Sequence, residues 1–466
     1  MFGINKDLKI HFIGIGGIGM SGIAEILLNL GYSISGSDIN SNINTEKLKN
    51  LGAEIFKGHD CKNIHDVQIV VYSSAINEHN PEVVISREQK IPIIKRAEML
   101  AELMRLKYGI AVAGSHGKTT TSSFLATIFH KLEQNPTSII GGIVKNLGGH
   151  AIKGESDYLI AEADESDGSF LYLNPIMSII TNIDNDHLDY YKSQENIESA
   201  FLEFANKVPF YGFVAINAQD IRSRMLLSKL KRPYLTFGIR ETENLNTDID
   251  YVASEIVNGK DTTSFKVTVG DEVGDAEISL AGEHNVLNSL GAIAIAHKVL
   301  GNLSEVCKAV SEFQGVGRRF EKLLEYKKMV IIDDYAHHPT EIKATINTAR
   351  DRYPNKKIIT IFEPHRYSRT KEHWNDFIKC FANVDKSYIS KIYPASEEPI
   401  DYIDSEVLVK SIDSEYSNAT YLSSWDDLES IFDLYKNNNA VILSLGAGSI
   451  SKVTREQVEK WNLKNL

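Results

Sequence analysis

The segment from Gly114 to Thr120 has the residue types of a loop that holds the phosphates of a nucleotide. It lies between a strand-length apolar run at 109–113 and a stretch with helical periodicity, and it consists of Gly114, Ser115, His116, Gly117, Lys118, Thr119 and Thr120. Backbone N–H groups of such a loop surround phosphate oxygens, the lysine neutralises their charge, and the hydroxyl that follows can reach Mg²⁺. The pattern departs from a Walker A loop at Val112, where that motif has glycine. We therefore expect ATP or GTP binding, with a glycine-rich turn and an exposed lysine as the alternative.

A second glycine-rich pattern, Gly14-x-Gly16-x-x-Gly19, follows an apolar run close to the start of the chain. Glycine lets such a turn approach a diphosphate closely, and Asp38, about 20 residues beyond it, can hold a sugar hydroxyl. NAD is the usual ligand of this fingerprint, but any molecule with a diphosphate, such as a nucleotide sugar, meets the same requirements. The pattern therefore predicts a nucleotide without identifying it, and a tight structural turn that binds no ligand is the alternative.

Carboxylates and a histidine cluster after two apolar runs in the middle of the chain. The first cluster contains Glu162, Asp164, Glu165 and Asp167, and the second contains Asp184, Asp186, His187 and Asp189. Oxygen ligands suit Mg²⁺, and a neutral imidazole can join them. The nearby phosphate loop favours a metal role, whereas solvated acidic surface loops are the alternative, since Asp and Glu are mostly exposed in proteins.

Cationic side chains follow two further apolar runs in the last third of the chain. One group is His337, His338 and Pro339, and the other is His365, Arg366, Tyr367, Ser368 and Arg369. The two arginines share a face if their segment is helical, and guanidinium groups bind carboxylates or phosphates in a fork geometry. The alternatives are surface ion pairs for the arginines and a turn in which the histidine rings pack against Tyr335.

The same order of elements recurs along the chain: a short apolar run, then glycines or small residues, then an amphipathic stretch of helical length. This order is typical of parallel α/β sheets. The predicted strands are 9–15, 32–37, 68–73, 109–113, 158–161, 177–183, 213–217, 329–332, 357–362, 386–390 and 440–445. We therefore predict an α/β protein of three domains: Rossmann-like at 1–106, P-loop ATPase-like at 107–314 and Rossmann-like again at 315–466.

Composition argues against several classes of protein. A chain of 466 residues is too long for a single hydrophobic core, which favours several domains. Contents of 42% hydrophobic and 24% charged residues are typical of a folded protein. A net charge of −12 argues against non-specific binding to nucleic acid or to an anionic membrane. The three cysteines are far apart, and neither a signal sequence nor a membrane-length apolar run is visible. We expect a cytoplasmic monomer or homodimer with no nucleic-acid or membrane partner.

Taken in order, the motifs of the chain resemble those of the Mur ligases. They occupy 14–22, 114–121, 162–167, 284–285, 318–320, 333–339 and 365–369. The match spans nearly the whole chain and is more specific than either glycine pattern alone. The resemblance implies an ATP-dependent ligase of peptidoglycan precursor synthesis that joins L-alanine to UDP-N-acetylmuramate through an acyl phosphate. ATP would be the co-substrate and Mg²⁺ the metal.

The resemblance also implies roles for individual residues. At ATP it places Gly114, Ser115, His116, Gly117, Lys118, Thr119 and Thr120, together with Asn285 at the adenine, Arg319 at the phosphates and Asp334 at the ribose. At the UDP-sugar it places Gly14, Gly16, Gly17, Ile18, Gly19, Asp38, Ser73 and His365. The implied metal ligands are Thr119, Glu162 and His187, and the implied catalytic residues are Lys118, Glu162, His187, His337, Arg366 and Arg369. His337 and the two arginines would gather the alanine carboxylate and the acyl centre.

Other functions compete with this one. An NAD-dependent oxidoreductase would use the first glycine pattern but leaves Lys118, Thr119 and the two arginines without a role. A nucleotide-dependent switch protein would hydrolyse ATP slowly, with no dependence on an amino acid. Within the same family, a recycling ligase that attaches a preformed tripeptide to the same UDP-sugar shares the reaction class and many of the motifs.

Overall fold

The structure, a computed structural model, describes residues 8–73, 75–240, 249–259, 262–395 and 397–465. Helices and strands alternate along it, and the strands form sheets of five, ten and six strands. Parallel pairs predominate among the neighbouring strands, which confirms the predicted α/β class with three parallel-rich sheets.

The first sheet contains β1 Lys9–Ile13, β2 Ser33–Asp38, β3 Glu54–Lys57, β4 Ile69–Tyr72 and β5 Ile93–Lys95. Its strands are parallel and lie in the order β3-β2-β1-β4-β5. The helices that connect them are α1 Ile18–Asn29, α2 Ile43–Asn50, α3 Pro81–Glu88 and α4 Arg96–Arg105. Because the strand order reverses between β1 and β4, the loops that follow these two strands border a crevice of the kind that binds ligands in open α/β sheets.

Burial explains the positions of β1 and α1. Ile10 and Phe12 of β1 are buried in the same cluster as Ile23 and Leu27, which are four residues apart on α1 and therefore share a helix face. The strand predicted at 9–15 is shorter in the structure and ends at Ile13. The chain turns there because Gly14 has a φ of +81°, in the left-handed region that favours glycine.

The second sheet contains β6 Tyr108–Ala113, β7 Thr137–Val144, β8 Gly149–Ile152, β9 Tyr158–Glu162, β10 Met177–Ile180, β11 Phe213–Asn217, β12 Tyr234–Ile239, β13 Tyr251–Asn258, β14 Thr263–Val269 and β15 Glu272–Ile278. The strand order is β15-β14-β13-β12-β11-β10-β6-β9-β7-β8. The helices are α5 Lys118–Lys131, α6 Leu188–Tyr191, α7 Gln194–Asn206, α8 Ile221–Leu226, α9 Glu283–Leu300 and α10 Leu303–Val310. Since β6 lies between β10 and β9 and is parallel to both, the segments after these three strands meet at one edge.

The third sheet contains β16 Glu321–Tyr326, β17 Met329–Asp334, β18 Lys357–Phe362, β19 Lys386–Ile389, β20 Ala419–Tyr421 and β21 Ala440–Leu445, in the order β16-β17-β21-β18-β19-β20. Its helices are α11 Pro339–Arg352, α12 Tyr367–Glu372, α13 Trp374–Cys380, α14 Ser405–Tyr416, α15 Asp427–Tyr435 and α16 Ile450–Asn465. Alternate residues of β21 belong to two different hydrophobic cores. Val441 and Leu443 are buried in one core, and Ala440 and Ile442 are buried in the other. The sheet is therefore covered on both faces, as a mostly parallel sheet requires.

The chain divides into two compact units by its internal packing. The first consists of Met1–Glu255, Phe265–Glu277 and Leu287–Gln314, and the second of Ile256–Ser264, Ile278–Val286 and Gly315–Leu466. Both glycine-rich loops belong to the first unit, whereas the histidines and arginines of 337–369 belong to the second. Within the described residues, no helix combines the length and apolar character that a membrane crossing requires.

Candidate active site

The phosphate loop joins the end of β6 to the start of α5. The N-cap residue of α5 is Gly117, whose φ of +81° favours glycine, and a methyl group at this position would collide with Asn288 of α9. Glycine has no side chain that could cap the first turn of the helix. The N–H groups at this helix start are therefore suited to an anion such as phosphate.

Two side chains from the segment after β10 hold this loop in place. Asn182 Oδ1 accepts a hydrogen bond from the His116 N–H at 2.9 Å, and Asn182 Nδ2 donates to the His116 carbonyl at 3.0 Å. Thr181 Oγ1 donates to the same carbonyl at 2.6 Å. These contacts explain why the strand predicted at 177–183 ends at Ile180. Sequence reasoning missed both residues, and the only signal was a polar pair at the end of an apolar run.

Lys118 lies in the first turn of α5 with its ammonium group folded back over the phosphate loop. Nζ donates to the carbonyls of Gly114 and Ser115 at 2.6 and 3.2 Å, and it forms an ion pair with Glu165 Oε2 at 2.8 Å. Burial by itself lowers the pKa of the Lys118 ammonium, but the surrounding carboxylates, Glu165 above all, raise this pKa above its ordinary value. Lys118 is therefore a fixed positive charge at the phosphate loop.

Thr119 and Glu162 place two oxygen atoms side by side. Thr119 Oγ1 donates to Glu162 Oε2 at 3.1 Å, while the Gly141 N–H donates to Glu162 Oε1 at 2.5 Å. Glu162 is the last residue of β9, which pairs in parallel with β6, so its carboxylate reaches the edge where α5 begins. A hydroxyl and a carboxylate oxygen are ligands that Mg²⁺ prefers. The structure thus brings together two of the three metal ligands that the resemblance implies.

His187, the third implied ligand, precedes α6 and has a φ of +59°. Its Nε2 lies 3.4 Å from Asp186 Oδ2 and 3.9 Å from Glu165 Oε1. Because Glu165 also pairs with Lys118, the imidazole and the ammonium flank the same carboxylate. Sequence reasoning included Glu165 in an acidic cluster but did not identify it as the partner of the lysine.

Other carboxylates of the two acidic clusters bind protein groups. Asp184 Oδ2 lies 3.0 Å from His116 Nε2, and its Oδ1 lies 3.3 Å from Arg222 Nη1. Asp167 Oδ1 accepts a hydrogen bond from the Ser169 N–H at 3.0 Å. The side chain of Asp189 lies outside the described part of the structure. The second cluster therefore helps to hold the phosphate loop through His116.

The glycine loop after β1 is tied to the end of β2. The N–H groups of Gly14 and Ile15 donate to the Ser37 carbonyl at 2.8 and 3.0 Å, and the Gly16 N–H donates to Asp38 Oδ2 at 2.9 Å. A methyl group on Gly16 would lie 2.9 Å from the same Asp38 oxygen, so the loop and the carboxylate fit only with glycine at this position. Asp38 therefore organises the loop, besides any contact with a sugar hydroxyl.

The other residues of the first unit that the resemblance assigns to a UDP-sugar lie close to this loop. A methyl group on Gly14 would be 3.5 Å from Ser73 Cβ, at the end of β4. Gly17 is the N-cap of α1, Ile18 begins the helix with 48% of its surface exposed, and Gly19 lies in the first turn. The structure thus gathers this predicted set at the reversal of strand order between β1 and β4, the usual ligand position in such sheets.

In the second unit, Arg366 and Arg369 lie at the start of α12 and have different partners. Helix α12 begins at Tyr367, and Arg366 precedes it with a φ of +72°. Arg366 Nε pairs with Glu397 Oε1 at 2.5 Å, whereas Arg369 is 6% exposed and its Nη1 lies 3.5 Å from His365 Nδ1. The shared face was expected only for a helical segment, and α12 contains Arg369 but begins one residue after Arg366. The pair of Arg366 with Glu397 is the ion pair that the sequence alternative describes.

The histidines of the second unit pack as an aromatic group. The His365 ring stacks on Tyr393 with centroids 5.4 Å apart, and it lies 5.8 Å from the His337 ring, which contacts Tyr335 at 5.1 Å. Burial, reinforced by the charge of Arg369, lowers the pKa of His365 to about 4. His365 is thus a neutral imidazole near pH 7, and His337 packs on Tyr335 as one of the sequence alternatives describes.

Asp334 organises the turn after β17. Its two oxygens accept hydrogen bonds from the N–H groups of Phe320 at 2.6 Å and Ala336 at 2.8 Å. Burial raises the pKa of the Asp334 carboxyl to about 6. Arg319 stands over the ring of Tyr335, with its guanidinium carbon 5.1 Å from the ring centre. Asp334 and Arg319, both implied ATP residues, therefore flank the same turn.

Asn285 and Asn288 lie three residues apart at the start of α9. Asn285, the implied adenine contact, donates from Nδ2 to the Ala281 carbonyl at 2.8 Å. A Cβ on Gly117 would collide with Asn288 Oδ1, so Asn288 packs closely against the phosphate loop. Sequence reasoning missed Asn288 because a polar residue within a helix gives no sign of its partner. Both asparagines are buried, Asn285 at 6% and Asn288 at 8% exposure.

Models of the Mur ligase family match three consecutive parts of the chain. The model described as "Mur ligase family, catalytic domain" matches residues 9–108. "Mur ligase middle domain" matches 112–296, and "Mur ligase, glutamate ligase domain" matches 318–448. The three matches together cover most of the chain.

Curated relatives are similar to the chain over almost its whole length. A UDP-N-acetylmuramate–L-alanine ligase of Oleidesulfovibrio alaskensis is 46% identical over 96% of this chain and 97% of its own. A protein with the same name from Geotalea uraniireducens is 45% identical over 98% of each chain.

Solved structures agree with the sequence relatives. A UDP-N-acetylmuramate-alanine ligase from Thermotoga maritima superimposes with a TM-score of 0.82 at 31% identity. The match covers 98% of this chain and 100% of the Thermotoga chain. A murein peptide ligase from Psychrobacter arcticus shares the fold, with a TM-score of 0.72 at 23% identity over 97% and 98% of the two chains. Because family models, full-length relatives and a solved structure agree, the chain belongs to the Mur ligase family.

Proposed function

We propose that this chain is an ATP-dependent ligase that joins L-alanine to UDP-N-acetylmuramate in peptidoglycan precursor synthesis. The observation that carries the proposal is the phosphate loop, where Lys118 sets a fixed positive charge beside the oxygen pair of Thr119 and Glu162. Full-length similarity to curated ligases with these two substrates supports the choice of substrates.

The reaction has two steps. A carboxylate oxygen of the lactyl group attacks the γ-phosphorus of ATP, the bond to the bridging oxygen breaks, and ADP leaves with that electron pair. The neutral amine of L-alanine then attacks the carbonyl carbon of the acyl phosphate, phosphate leaves, and the nitrogen loses a proton to give the amide. The first step is needed because a carboxylate is a poor acyl donor, whereas phosphate is a good leaving group.

Lys118 stabilises the negative charge that spreads over the transferring phosphoryl oxygens. Its ammonium group already lies over the phosphate loop, where it pairs with Glu165 and the Gly114 carbonyl. When ATP binds, the γ-phosphate takes the place of one of these partners. The ammonium group therefore moves little to reach the γ-phosphate. The start of α5, with its glycine N-cap, supplies N–H groups to the same phosphates.

Mg²⁺ is the metal that we propose for this site. The oxygens of Thr119 and Glu162 fit it, since they are hard donors and lie 3.1 Å apart. His187 is the third proposed ligand, although an imidazole nitrogen is an unusual ligand for this cation. When bound, the ion would neutralise phosphate charge and polarise the acyl phosphate.

The roles of the chain's parts follow from the same proposal. We assign the UDP-sugar to 1–106, ATP to 107–314, and the amino acid and adenine nucleotide to 315–466. His365 is assigned to the UDP-sugar, and His337, Arg366 and Arg369 to the alanine carboxylate and the acyl centre. We further propose that the enzyme works in the cytoplasm as a monomer or a homodimer.

Phosphate release should require ATP, UDP-N-acetylmuramate and L-alanine together. The acyl phosphate forms only on the sugar carboxylate, and only an amine discharges it. The measurement is a coupled assay of inorganic phosphate with each substrate omitted in turn, together with mass detection of the UDP-N-acetylmuramoyl-alanine product. Release that continues at the full rate without the sugar or without alanine would show that the chain is not this ligase.

The same assay separates the competing functions. Replacing L-alanine by the tripeptide L-alanyl-γ-D-glutamyl-diaminopimelate tests the recycling ligase, which would turn over faster with the tripeptide than with alanine. An NADH fluorescence titration tests the oxidoreductase, for which binding of the nicotinamide cofactor is required. We expect L-alanine to be the preferred acceptor and NADH fluorescence to remain unchanged.

Arg366→Lys should raise the KM for L-alanine by about tenfold, because lysine keeps the charge but loses the fork that orients a carboxylate. The KM for ATP and for the sugar should change little, since Arg366 is assigned to the acceptor alone. Arg350→Lys is the matched control: Arg350 is in the same unit and pairs with Asp385 at 3.4 Å, away from the proposed site. Normal alanine saturation in Arg366→Lys would mean that Arg366 serves only its ion pair with Glu397.

A further inference from the structure

Arg96 occupies a position between the two nucleotide loops of the first unit. It is the first residue of α4, and its side chain is 22% exposed. Its Nη1 lies 3.1 Å from the point where a Cβ on Gly19 would be, and its Nη2 lies 3.5 Å from Asp164 Oδ2. The two ends of one guanidinium group therefore lie against the first turn of α1 and the acidic loop after β9.

On one side, Arg96 lies against the start of α1, directly after the glycine loop that we assign to the UDP-sugar. Gly19 is in the first turn of α1, whose N-cap, Gly17, has no side chain to cap the helix. A diphosphate held at this helix start would lie within reach of Nη1, and guanidinium groups bind phosphate oxygens through charge-assisted hydrogen bonds. The position therefore suits a cation that recognises the diphosphate of a UDP-linked sugar.

The Asp164 side of Arg96 is the acidic loop after β9. Asp164 lies between Glu162, a proposed metal ligand, and Glu165, the partner of Lys118. Its Oδ1 accepts the Ser166 N–H at 3.1 Å, and its carbonyl accepts the Phe170 N–H at 3.0 Å. Asp164 is thus tied into the loop that shapes the ATP site, and a group that holds Asp164 restrains this loop.

A second contact joins the start of α4 to the segment that contains the acidic loop. Besides the Arg96–Asp164 pair, Lys95 lies over the ring of Tyr172, 5.8 Å from its centre, in the turn that closes the same acidic loop. The end of α4 that carries Arg96 is therefore packed against the ATP-site loop, while the guanidinium group also reaches the UDP-sugar loop.

We propose that Arg96 is a positioning residue that couples the two substrate sites, binding the UDP-sugar diphosphate while its ion pair with Asp164 orders the acidic loop of the ATP site. This inference rests on the proposed function, because it takes the glycine loop as the UDP-sugar site. When the diphosphate orders Arg96, the ion pair also orders Asp164. The entropy cost of ordering the acidic loop is then smaller when ATP binds. The coupling is reciprocal: each ligand tightens the binding of the other by the same factor.

The test is a calorimetric titration of UDP-N-acetylmuramate, with and without Mg²⁺ and a non-hydrolysable ATP analogue, on the full chain. In the wild-type protein the analogue should lower the Kd of the sugar at least about fivefold, within the usual range of coupling between sites. Asp164→Asn should bind the sugar alone within about twofold of wild type but show no shift with the analogue, since it loses the ion pair and not the phosphate contact.

Arg96→Ala should bind the sugar alone about tenfold more weakly and also lose the shift. Arg96→Lys should recover part of the affinity through its charge but not the shift, because one ammonium group cannot face both loops. Arg105→Ala is the matched control, since Arg105 ends the same helix, is exposed and forms an ion pair with Glu102, three residues before it. Thermal melting of each variant shows that it is folded.

Two results would overturn the coupling: wild-type sugar affinity in Arg96→Ala, or an undiminished shift in Asp164→Asn. A wild-type protein that binds the sugar but shows no shift with the analogue refutes the coupling and leaves the proposed function standing. A wild-type protein that binds no UDP-N-acetylmuramate under either condition refutes the proposed function, and the coupling falls with it.

Discussion

Lys118→Ala should lower kcat by about 10³-fold or more while leaving the protein folded. The ammonium group acts on the transferring phosphoryl group, and no other cation of the described phosphate loop is placed over its carbonyls as Nζ is. The helix that carries Lys118 does not depend on it, because Phe124, Leu125 and Ile128 bury the apolar side of α5. The measurement is steady-state phosphate release with all three substrates at saturation.

Lys118→Ala also removes the ion-pair partner of Glu165, and a second substitution corrects for this loss. Without the ammonium group, the buried Glu165 carboxyl loses the cation 2.8 Å away, and its pKa, which burial already raises to about 7, rises further. Lys118→Ala combined with Glu165→Gln replaces this carboxyl by a neutral amide, so it should melt closer to wild type and still be inactive. Lys131→Ala, at the exposed end of the same helix, is the control for the substitution itself. Substantial turnover in the double variant would remove Lys118 from the chemistry.

Glu162→Ala and His187→Ala should each lower kcat by about 10²-fold and raise the Mg²⁺ concentration needed for half-maximal rate. Glu162 should show the larger effect, since its carboxylate is paired with the Thr119 hydroxyl and is the harder ligand. The measurement is the dependence of phosphate release on Mg²⁺ concentration, with chelation of the metal by EDTA as the limiting case. EDTA should abolish turnover in the wild-type protein.

Asp157→Asn is the matched control for the metal variants. Asp157 is an exposed carboxylate directly before β9, at the opposite end of the strand from Glu162. Its Mg²⁺ dependence should equal that of the wild type. Unchanged Mg²⁺ dependence in both Glu162→Ala and His187→Ala would mean that these residues shape the loop without binding the metal.

Local sequence determined the class of fold and the positions of the loops. The predicted strands 213–217, 357–362 and 440–445 match β11, β18 and β21, because each is a mostly apolar run of strand length bounded by polar or turn residues. The phosphate loop was equally readable, since glycines, lysine and hydroxyl residues between a strand and a helix form a short contiguous pattern. Such features depend on neighbours along the chain, which is why sequence reasoning reaches them.

The ends of strands and helices were less predictable, because contacts with residues far away in the chain decide them. The predicted strand 177–183 ends at Ile180, because the side chains of Thr181 and Asn182 form hydrogen bonds with the backbone of His116. A shared face of Arg366 and Arg369 was expected only for a helical segment, and α12 starts one residue after Arg366. Neither outcome is visible in the apolar pattern.

The sequence by itself determined which residues carry charge, which loops contain glycine and which segments are strands or helices. Only the tertiary structure decided the partners: Glu165 for Lys118, Thr119 for Glu162, and Asp164 for Arg96. The physical reason is the order of strands in the second sheet, where β6 lies between β10 and β9. Apolar periodicity shows that a strand is buried but not which strand lies beside it, so contacts between loops from neighbouring strands appear only when the sheet is assembled.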